Sequence, residues 1–259
     1  MRPPIKGRIQ GVLFFCAILT VTLCSAFSAA RGQNAAGPPA SNKRIALVIG
    51  NGSYPMSPVG TAVADAKAVA ELLKDGGFDV VYAQDTRTAD LTSAIQQFSQ
   101  KLEQGATAIV YYAGYAIQTR DRNFLMPVDA TIASDADVRS NTVDADLILD
   151  PLIVARPRGA VVILDAARKN PWQQKVSARA SGLANVSPIE GITQVYPAAP
   201  GQIVEDAKGP VDLFASEFIK AAKVPDRSFK EVFRLTRAAV SKASRNTVLP
   251  WEASLNTAE

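Results

Sequence analysis

The side chains that most often serve as nucleophile and general base are scarce in this sequence. Its 259 residues include no histidine, and the two cysteines are Cys16 and Cys24. Beyond Cys24 there is no thiol for disulfides, metal binding or nucleophilic attack. Without histidine there is also no imidazole to activate a serine hydroxyl. Any chemistry must therefore come from polar segments elsewhere in the chain.

Two polar segments that follow apolar runs are the candidates. The first reads YYAGYAIQ over residues 111–118, and the second reads DAARKNP over residues 165–171. The runs before them, residues 106–112 and 159–164, are typical of strands buried in a parallel sheet. In such sheets, functional residues lie beyond the carboxyl ends of the central strands. The two segments are therefore the predicted functional region.

The elements that position these segments follow from the spacing of apolar residues. Strands are predicted over 44–50, 78–83, 106–112, 159–164 and 192–196. Helices are predicted over 66–73, 91–102 and 147–155, the last interrupted by Pro151. Two more close the chain, one with Phe214 and Phe218 and one starting at Ser228, where Glu231 is placed for a capping box.

Strands that alternate with amphipathic helices predict an α/β fold. We expect a three-layer α/β/α sandwich with a mostly parallel central sheet, formed by residues 42–259. Residues 31–41 are rich in glycine, alanine and proline without apolar periodicity, which predicts a flexible spacer.

Residues 1–30 have the pattern of a secretory signal peptide. Arg2, Lys6 and Arg8 precede an apolar run from Val12 to Leu23, and small residues follow. Cleavage after residue 28 or 30 predicts a secreted or periplasmic protein. An uncleaved anchor would need an apolar run of about 20 residues. A lipid-modified Cys24 would normally follow a small residue, and Leu23 stands there.

Charge and glycine spacing argue against two classes of ligand. Of the net charge of +4, three positive charges belong to the leader, so the remaining chain carries +1 and lacks a nucleic-acid footprint. Gly50-Asn51-Gly52 is a fragment of a dinucleotide fingerprint without its third glycine. We expect no cofactor, no metal and no nucleic acid, and membrane contact only through an uncleaved leader.

The two polar segments resemble the caspase and metacaspase family of cysteine peptidases. Bacterial members read Tyr-Tyr-Ala-Gly-His-Gly-x-Gln after one strand and Asp-Ala-Cys-Arg-x-Asn-Pro after the next. The similarity covers the whole predicted domain and includes Ile49, Gly50, Asn51, Tyr54, Asp65, Ala66, Asn123, Phe124, Leu125, Pro127, Asp129, Pro250, Trp251 and Glu252.

The resemblance places the family's catalytic histidine at Tyr115 and its cysteine at Ala167. These positions are 52 apart, close to the interval of about 50 found in caspases. Alanine has no nucleophile, and tyrosine, with a pKa of about 10, is a poor base near neutral pH. The resemblance therefore implies a pseudoprotease with no intact catalytic residue.

Other parts of the family's site are implied to remain. The amides of Ala116 and Ala167 would form the oxyanion hole. Asp65, Ala113 and Asp165 would line a pocket for an Arg or Lys side chain of a ligand. The alternative is that Asp65 serves a helix start while Asp165 binds loop amides. Tyr115 either fills the cleft or forms its wall.

Three functions stay open. The first is an exported pseudoprotease that binds peptides, partner proteins or an active caspase-like relative. The second is a residual endopeptidase or other hydrolase with an unrecognised nucleophile, such as Ser177 or Ser181 with Lys169 or Lys175. The third is an assembly module that pairs edge to edge as a homodimer. Trp172 and Trp251 are expected to pack, and solvated faces are expected for Arg156, Arg158, Arg168 and Lys169.

Overall fold

The computed structural model describes residues 41–176, 181–205 and 209–255. The predicted signal peptide and residues 31–40 of the predicted spacer lie outside these ranges, as does Ser177. No helix in the described ranges has the length and apolar character needed to cross a bilayer.

Six strands form the central sheet in the order β2-β1-β3-β7-β8-β9. Their bounds are Arg44–Gly50 (β1), Asp79–Gln84 (β2), Thr107–Ala113 (β3), Gly159–Asp165 (β7), Ile192–Tyr196 (β8) and Trp251–Ala253 (β9). The first five in this order are parallel, and β9 runs antiparallel to β8. The five predicted strands are confirmed, each within one residue of its expected bounds.

Six helices are described. Their bounds are Ala62–Asp75 (α1), Thr88–Lys101 (α2), Asp135–Ser140 (α3), Asp146–Ala155 (α4), Leu213–Ala222 (α5) and Phe229–Ala243 (α6). Pro151 lies inside α4 without ending it. Ser228 caps α6 by accepting a hydrogen bond from the Glu231 amide at 3.3 Å.

Two apolar cores cover the two faces of the sheet. Alternate residues of β1 point to opposite faces, because successive side chains of a strand alternate. Ala46 and Val48 pack with α1, α5 and α6, whereas Ile45 and Leu47 pack with α2 and α4. The predicted three-layer α/β/α sandwich is therefore confirmed.

A small antiparallel sheet follows β3 and was not predicted. It consists of Ala116–Thr119 (β4), Arg122–Leu125 (β5) and Val143–Asp144 (β6). Strands of two to four residues are too short to give a periodic pattern. This hairpin begins immediately beyond Tyr115, so it fixes the direction in which the chain leaves the candidate site.

Candidate site at the carboxyl edge of the sheet

The two polar segments meet because β3 and β7 are neighbours in register. Ala113 pairs with Asp165 at the carboxyl ends of the two strands. The Gly114 amide donates to the Asp165 carbonyl at 3.3 Å. Arg168 Nη1 in turn donates to the Gly114 carbonyl at 3.3 Å. The positions that the resemblance assigns to the dyad, two residues beyond each strand, thus lie in directly connected loops.

Tyr115 is fixed by aromatic neighbours and by a serine. Its ring makes edge contacts with Tyr54 at 5.0 Å and with Trp172 at 5.5 Å between ring centroids. Its hydroxyl lies 2.9 Å from Ser57 Oγ. The side chain is only 5% exposed. Such T-shaped contacts stabilise ring orientation beyond simple burial, so position 115 holds a well-packed ring.

The backbone at position 115 is held by two tyrosine hydroxyls. The Tyr115 amide donates to Tyr54 Oη at 3.0 Å, and Tyr112 Oη donates to the Tyr115 carbonyl at 2.8 Å. Burial raises the pKa of Tyr112 to about 12 and that of Tyr54 well above its usual value. Both hydroxyls therefore remain protonated donors at physiological pH.

Gly114 is needed because these hydroxyls approach the backbone closely. A Cβ at this position would lie 2.7 Å from Tyr54 Oη and 2.9 Å from Tyr112 Oη. Both tyrosines are buried, so neither ring can withdraw without breaking its hydrogen bonds to Tyr115. The glycine of the first motif thus has a packing reason in this chain.

The two amides implied for an oxyanion hole differ in their surroundings. Ala116 lies opposite Leu125 in β5. At the neighbouring pair of residues, the Met126 amide donates a hydrogen bond to the Tyr115 carbonyl at 3.0 Å. In this register the Ala116 N–H points away from β5. Ala167 is 0% exposed, and its carbonyl accepts a bond from the Val204 amide at 2.7 Å.

Three aspartates from distant parts of the chain converge beside these loops. Asp65 lies in the first turn of α1, Asp165 ends β7, and Asp212 is the N-cap of α5. One carboxylate oxygen from each lies within 4.8 Å of the other two, and all three side chains are buried. We call Asp65, Asp165 and Asp212 the carboxylate cluster.

Arg168 supplies the positive charge of this cluster. Its Nη1 lies 3.4 Å from Asp165 Oδ1, and its Nη2 lies 3.6 Å from Asp212 Oδ2. The residue is only 6% exposed. The expectation that Arg168 lies on a solvated face is therefore wrong, because three buried carboxylates require a nearby cation. Trp172 packs in the core as expected, while Trp251 on β9 is half-exposed.

The hydrogen bonds of the carboxylates are specific. Tyr111 Oη donates to Asp165 Oδ2 at 2.8 Å, and the Asp212 amide donates to Asp65 Oδ1 at 2.8 Å. The Ala215 amide donates to Asp212 Oδ1 at 2.7 Å. Asp65 Oδ2 and the hydroxyl of Thr61, one helical turn earlier, are both buried, and neither meets hydrogen-bond geometry with any atom of the described residues.

These surroundings favour the protonated forms of Asp65 and Asp212. Burial, followed by the charge of Asp165, raises the pKa of Asp65 to about 6. The same two causes raise the pKa of Asp212 well above its usual value. Burial and the neighbouring Asp165 also raise the pKa of Tyr111, so its hydroxyl remains a donor. Asp65 therefore takes up a proton as the pH falls through about 6.

Comparison with known proteins identifies the fold family. A family model described as "Caspase domain" matches residues 43–259. The chain belongs to the caspase-domain family. Two curated proteins match part of this chain: mucosa-associated lymphoid tissue lymphoma translocation protein 1 of Homo sapiens and its Mus musculus homolog. Identity is 32% over 95 residues with the mouse protein and 30% over 93 with the human one.

These matches differ in extent. Each curated match covers 36% of this chain and 11% of the longer relative. The crystal structure of protein GSU0716 from Geobacter sulfurreducens is similar over 83% of this chain and 95% of that one. Its TM-score is 0.59 at 15% sequence identity, so the likeness concerns the fold. The family model thus shows the caspase domain, and the structural comparison shows that this fold is shared with the Geobacter protein.

A cleft of about 600 Å³ opens beside Tyr115 in the caspase domain. Its wall includes Ser57, Tyr115, Lys169, Gln173, Ile203 and Glu205, and Arg168 also lines it. Tyr115 therefore forms part of the wall of this cleft, while most of its side chain is buried. Of the serines proposed as substitute nucleophiles, Ser181 accepts a bond from the Asn170 amide at 3.2 Å through its Oγ.

Sequence reasoning missed two members of this site. Asp212 carried one signal, since an aspartate just before a predicted helix is a common N-cap. Nothing in the sequence placed it beside Asp65, which is 147 residues away. Ser57 carried no signal at all, because it lies in a loop without periodicity.

Proposed function

We propose that this caspase domain is a pseudoprotease that binds a peptide or protein segment in the cleft beside Tyr115 without cleaving it. The observation that carries the proposal is the pair of residues at the family's catalytic positions. By resemblance these are Tyr115 and Ala167, and the sequence contains no histidine. The reaction of a cysteine peptidase needs both a thiolate and a base.

The packing around these positions supports the proposal. The Tyr115 ring lies between Tyr54 and Trp172 and is engaged with Ser57. Ala167 presents only a methyl group, and it is buried together with its amide. A substrate carbonyl would need a local opening to reach this amide. Binding in the cleft requires no such opening.

Activity is tested with fluorogenic peptides carrying Arg, Lys or Asp before the scissile bond, with and without calcium. The wild-type protein is expected to be silent, because neither position 115 nor position 167 supplies a reacting group. Tyr115→His with Ala167→Cys restores the two side chains, and Tyr115→His alone is the matched control without a nucleophile. Cleavage by the wild-type protein would contradict the proposal.

Binding is tested by a charge placed in the cleft wall. Ile203 lines the cleft and is 40% exposed. Ile203→Asp should weaken the binding of peptides selected from a library by about tenfold, because a carboxylate replaces apolar contact area. Val224, 41% exposed and outside the cleft lining, provides the control Val224→Asp. Equal effects of the two changes would place the binding surface elsewhere.

A second candidate is a weak hydrolase that uses Ser57. Its Oγ lies 2.9 Å from Tyr115 Oη, and Lys169 lines the same cleft. A serine with a neighbouring basic side chain is a known alternative to the cysteine dyad. If the wild-type protein cleaves any peptide, Ser57→Ala decides whether this serine is the nucleophile.

Self-association and export are further proposals. β9 is the last strand of the sheet, and its outer edge has no partner strand within the described residues. A second copy could pair there, and a concentration-dependent mass measurement tests it. Export as a secreted or periplasmic protein is tested by sequencing the amino terminus of the mature protein after expression with the full leader.

A further inference from the structure

The positive charge of the chain is concentrated near its last two helices. Residues 220–245 contain eight lysine and arginine residues and two acidic ones, so this segment carries a net charge of +6, whereas the whole sequence carries +4. The segment runs from the end of α5 to just beyond α6. A local excess of one sign of charge attracts partners of the opposite sign. This part of the surface is therefore suited to an anionic partner.

Helix α6 buries one face and exposes the other. The buried face is apolar and includes Val232 and Phe233, which belong to the core on that side of the sheet. The exposed face carries four basic side chains: Lys230, Arg234, Arg237 and Lys242. At 1.5 Å per residue these four extend over about 18 Å along one side of the helix. We call these four residues the basic face.

Helix stability does not account for the basic face. Lys230 is the second residue of α6, where the positive end of the helix macrodipole disfavours a cation. Lys230 and Arg234 are four residues apart, Arg234 and Arg237 are three apart, and like charges at these spacings destabilise a helix. Arg234 lies 3.9 Å from Glu231, and within the described residues the other three members form no ion pair. Their charges are therefore available to a partner.

Exposed apolar side chains lie close in sequence to both ends of α6. Val224, in the turn before the helix, is 41% exposed. Leu249 and Trp251 follow the helix and are 38% and 39% exposed. Apolar and aromatic side chains near basic ones are typical of surfaces that contact a membrane, because they can enter the headgroup region. A nucleic acid would mainly engage the charges through its phosphates. The combination favours a bilayer.

We propose that the basic face of α6 binds the surface of an anionic lipid bilayer. The helix axis lies parallel to the membrane, and the four cations approach the lipid phosphates. The apolar face of α6 is already buried in the domain, so charge drives this binding and the helix does not insert. The inference is independent of any ligand in the cleft. The sequence led us to expect membrane contact through an uncleaved leader, and the basic face is a separate contact.

The first experiment removes charge from the basic face. Lys230→Gln, Arg234→Gln and Arg237→Gln are combined in one variant. Cosedimentation with vesicles of equal parts phosphatidylcholine and phosphatidylglycerol is measured at about 0.1 M salt, where the screening length is about 10 Å. The protein is expressed from its full sequence, so any contribution of the leader is common to wild type and variant. The variant should bind about a hundredfold more weakly, because each basic side chain contributes a factor of about five.

The matched control removes the same number of positive charges elsewhere. Arg120→Gln, Arg139→Gln and Arg156→Gln replace three exposed arginines outside α5 and α6. This control should bind the anionic vesicles as the wild type does. Thermal unfolding verifies that both variants fold. Equal losses of binding in the two variants would overturn the proposal, because net charge would then determine binding. An unchanged affinity of the basic-face variant would overturn it as well.

A second experiment locates the contact on the wild-type protein. Acetylation of lysines is mapped by mass spectrometry with and without the anionic vesicles. Lys230 and Lys242 should react several-fold more slowly when vesicles are present. Lys101, in α2 on the other face of the sheet and 41% exposed, should react at the same rate in both conditions. Equal protection of all three lysines, or of none, would refute the proposed contact.

A third measurement compares the bilayer with a nucleic acid. Duplex DNA is titrated into the wild type and the basic-face variant at the same salt concentration. DNA should bind the wild type more weakly than the anionic vesicles do, because it gains no apolar contact with Val224, Leu249 or Trp251. If DNA binds more tightly than the vesicles and the variant loses this binding, the partner is a nucleic acid and the bilayer proposal is wrong.

Discussion

The loop after β3 and the carboxylate cluster lie side by side at one edge of the sheet, but they are held by different forces. Tyr115 is fixed by ring contacts and by neutral hydroxyls whose pKa values are raised, so its surroundings do not change charge near pH 7. The cluster depends on the charge of Arg168 and on partial protonation. The packing of the first region therefore does not depend on charge, whereas the second region cannot lose a charge without a loss of stability.

The largest effect is expected from removing the cation of the cluster. Arg168→Leu should lower the free energy of unfolding by about 3–5 kcal/mol, because it leaves buried carboxylates uncompensated. Arg87→Leu is the control, since Arg87 pairs with Asp129 at 3.2 Å but is 72% exposed, and it should cost less than about 1 kcal/mol. Urea unfolding measures both. Similar losses in the free energy of unfolding would mean that the buried ion pairs of Arg168 contribute no more to stability than the exposed pair of Arg87.

The next largest effect is expected in the pH dependence of stability, which should differ between the two regions. The pKa of Asp65 is raised to about 6, so the folded state binds this proton more tightly than the unfolded chain. Its contribution is fully present below about pH 4 and is lost as the pH rises through 6. Asp65→Asn removes this titration. Between pH 4 and pH 8 the stability of wild type relative to this variant should fall by about 2–3 kcal/mol.

For Asp129, a carboxylate outside the cluster, we expect the opposite dependence of stability on pH. Burial tends to raise the pKa of Asp129, but hydrogen bonds from the Thr88 amide, Arg87 and the Thr88 hydroxyl outweigh it, and the net pKa is lowered. The Asp129→Asn variant should therefore have a lower free energy of unfolding than the wild type near neutral pH. This difference should disappear as the pH falls below about 4. If the stability of Asp65→Asn shows the same pH dependence as that of Asp129→Asn, Asp65 does not bind the proton that we assign to it.

In the neutral region, the close approach at Gly114 should be the most sensitive feature. Gly114→Ala places a methyl group against Tyr54 Oη and Tyr112 Oη, and we expect a loss of about 1–3 kcal/mol. Gly159→Ala, at the start of β7, is the matched control because its Cβ would meet nothing within 4 Å. Thermal or urea unfolding compares the two, and equal stabilities would show that the tyrosines can move.

The smallest effect should come from the hydroxyl of Tyr115. Tyr115→Phe keeps the ring contacts and removes the bond to Ser57, which should cost about 0.5–1.5 kcal/mol at any pH between 5 and 8. Tyr82→Phe removes an exposed bond to Gln84 and should cost less, because water replaces it. A strong pH dependence of the Tyr115→Phe effect would link the two regions that we describe as separate.

The sequence predicted the strands and loops of this site better than the arrangement of its charged side chains. Apolar runs located β3 and β7, and the motifs located Tyr115 and Ala167, because each depends on consecutive residues. The convergence of Asp65, Asp165 and Asp212 depends on three elements far apart in sequence, and no local pattern encodes it. Arg168 was therefore expected in solvent, although its burial follows directly once the carboxylates are together. The short strands β4 to β6 were missed for lack of length.

The bond from the Asp212 amide to Asp65 joins residues 147 positions apart. Closing so long a loop is entropically unfavourable until the intervening strands have assembled. We therefore expect this contact to form late in folding, and it connects the first helix of the domain to the N-terminus of α5. A nascent chain would complete the charged half of its site only after most of the domain has been synthesised.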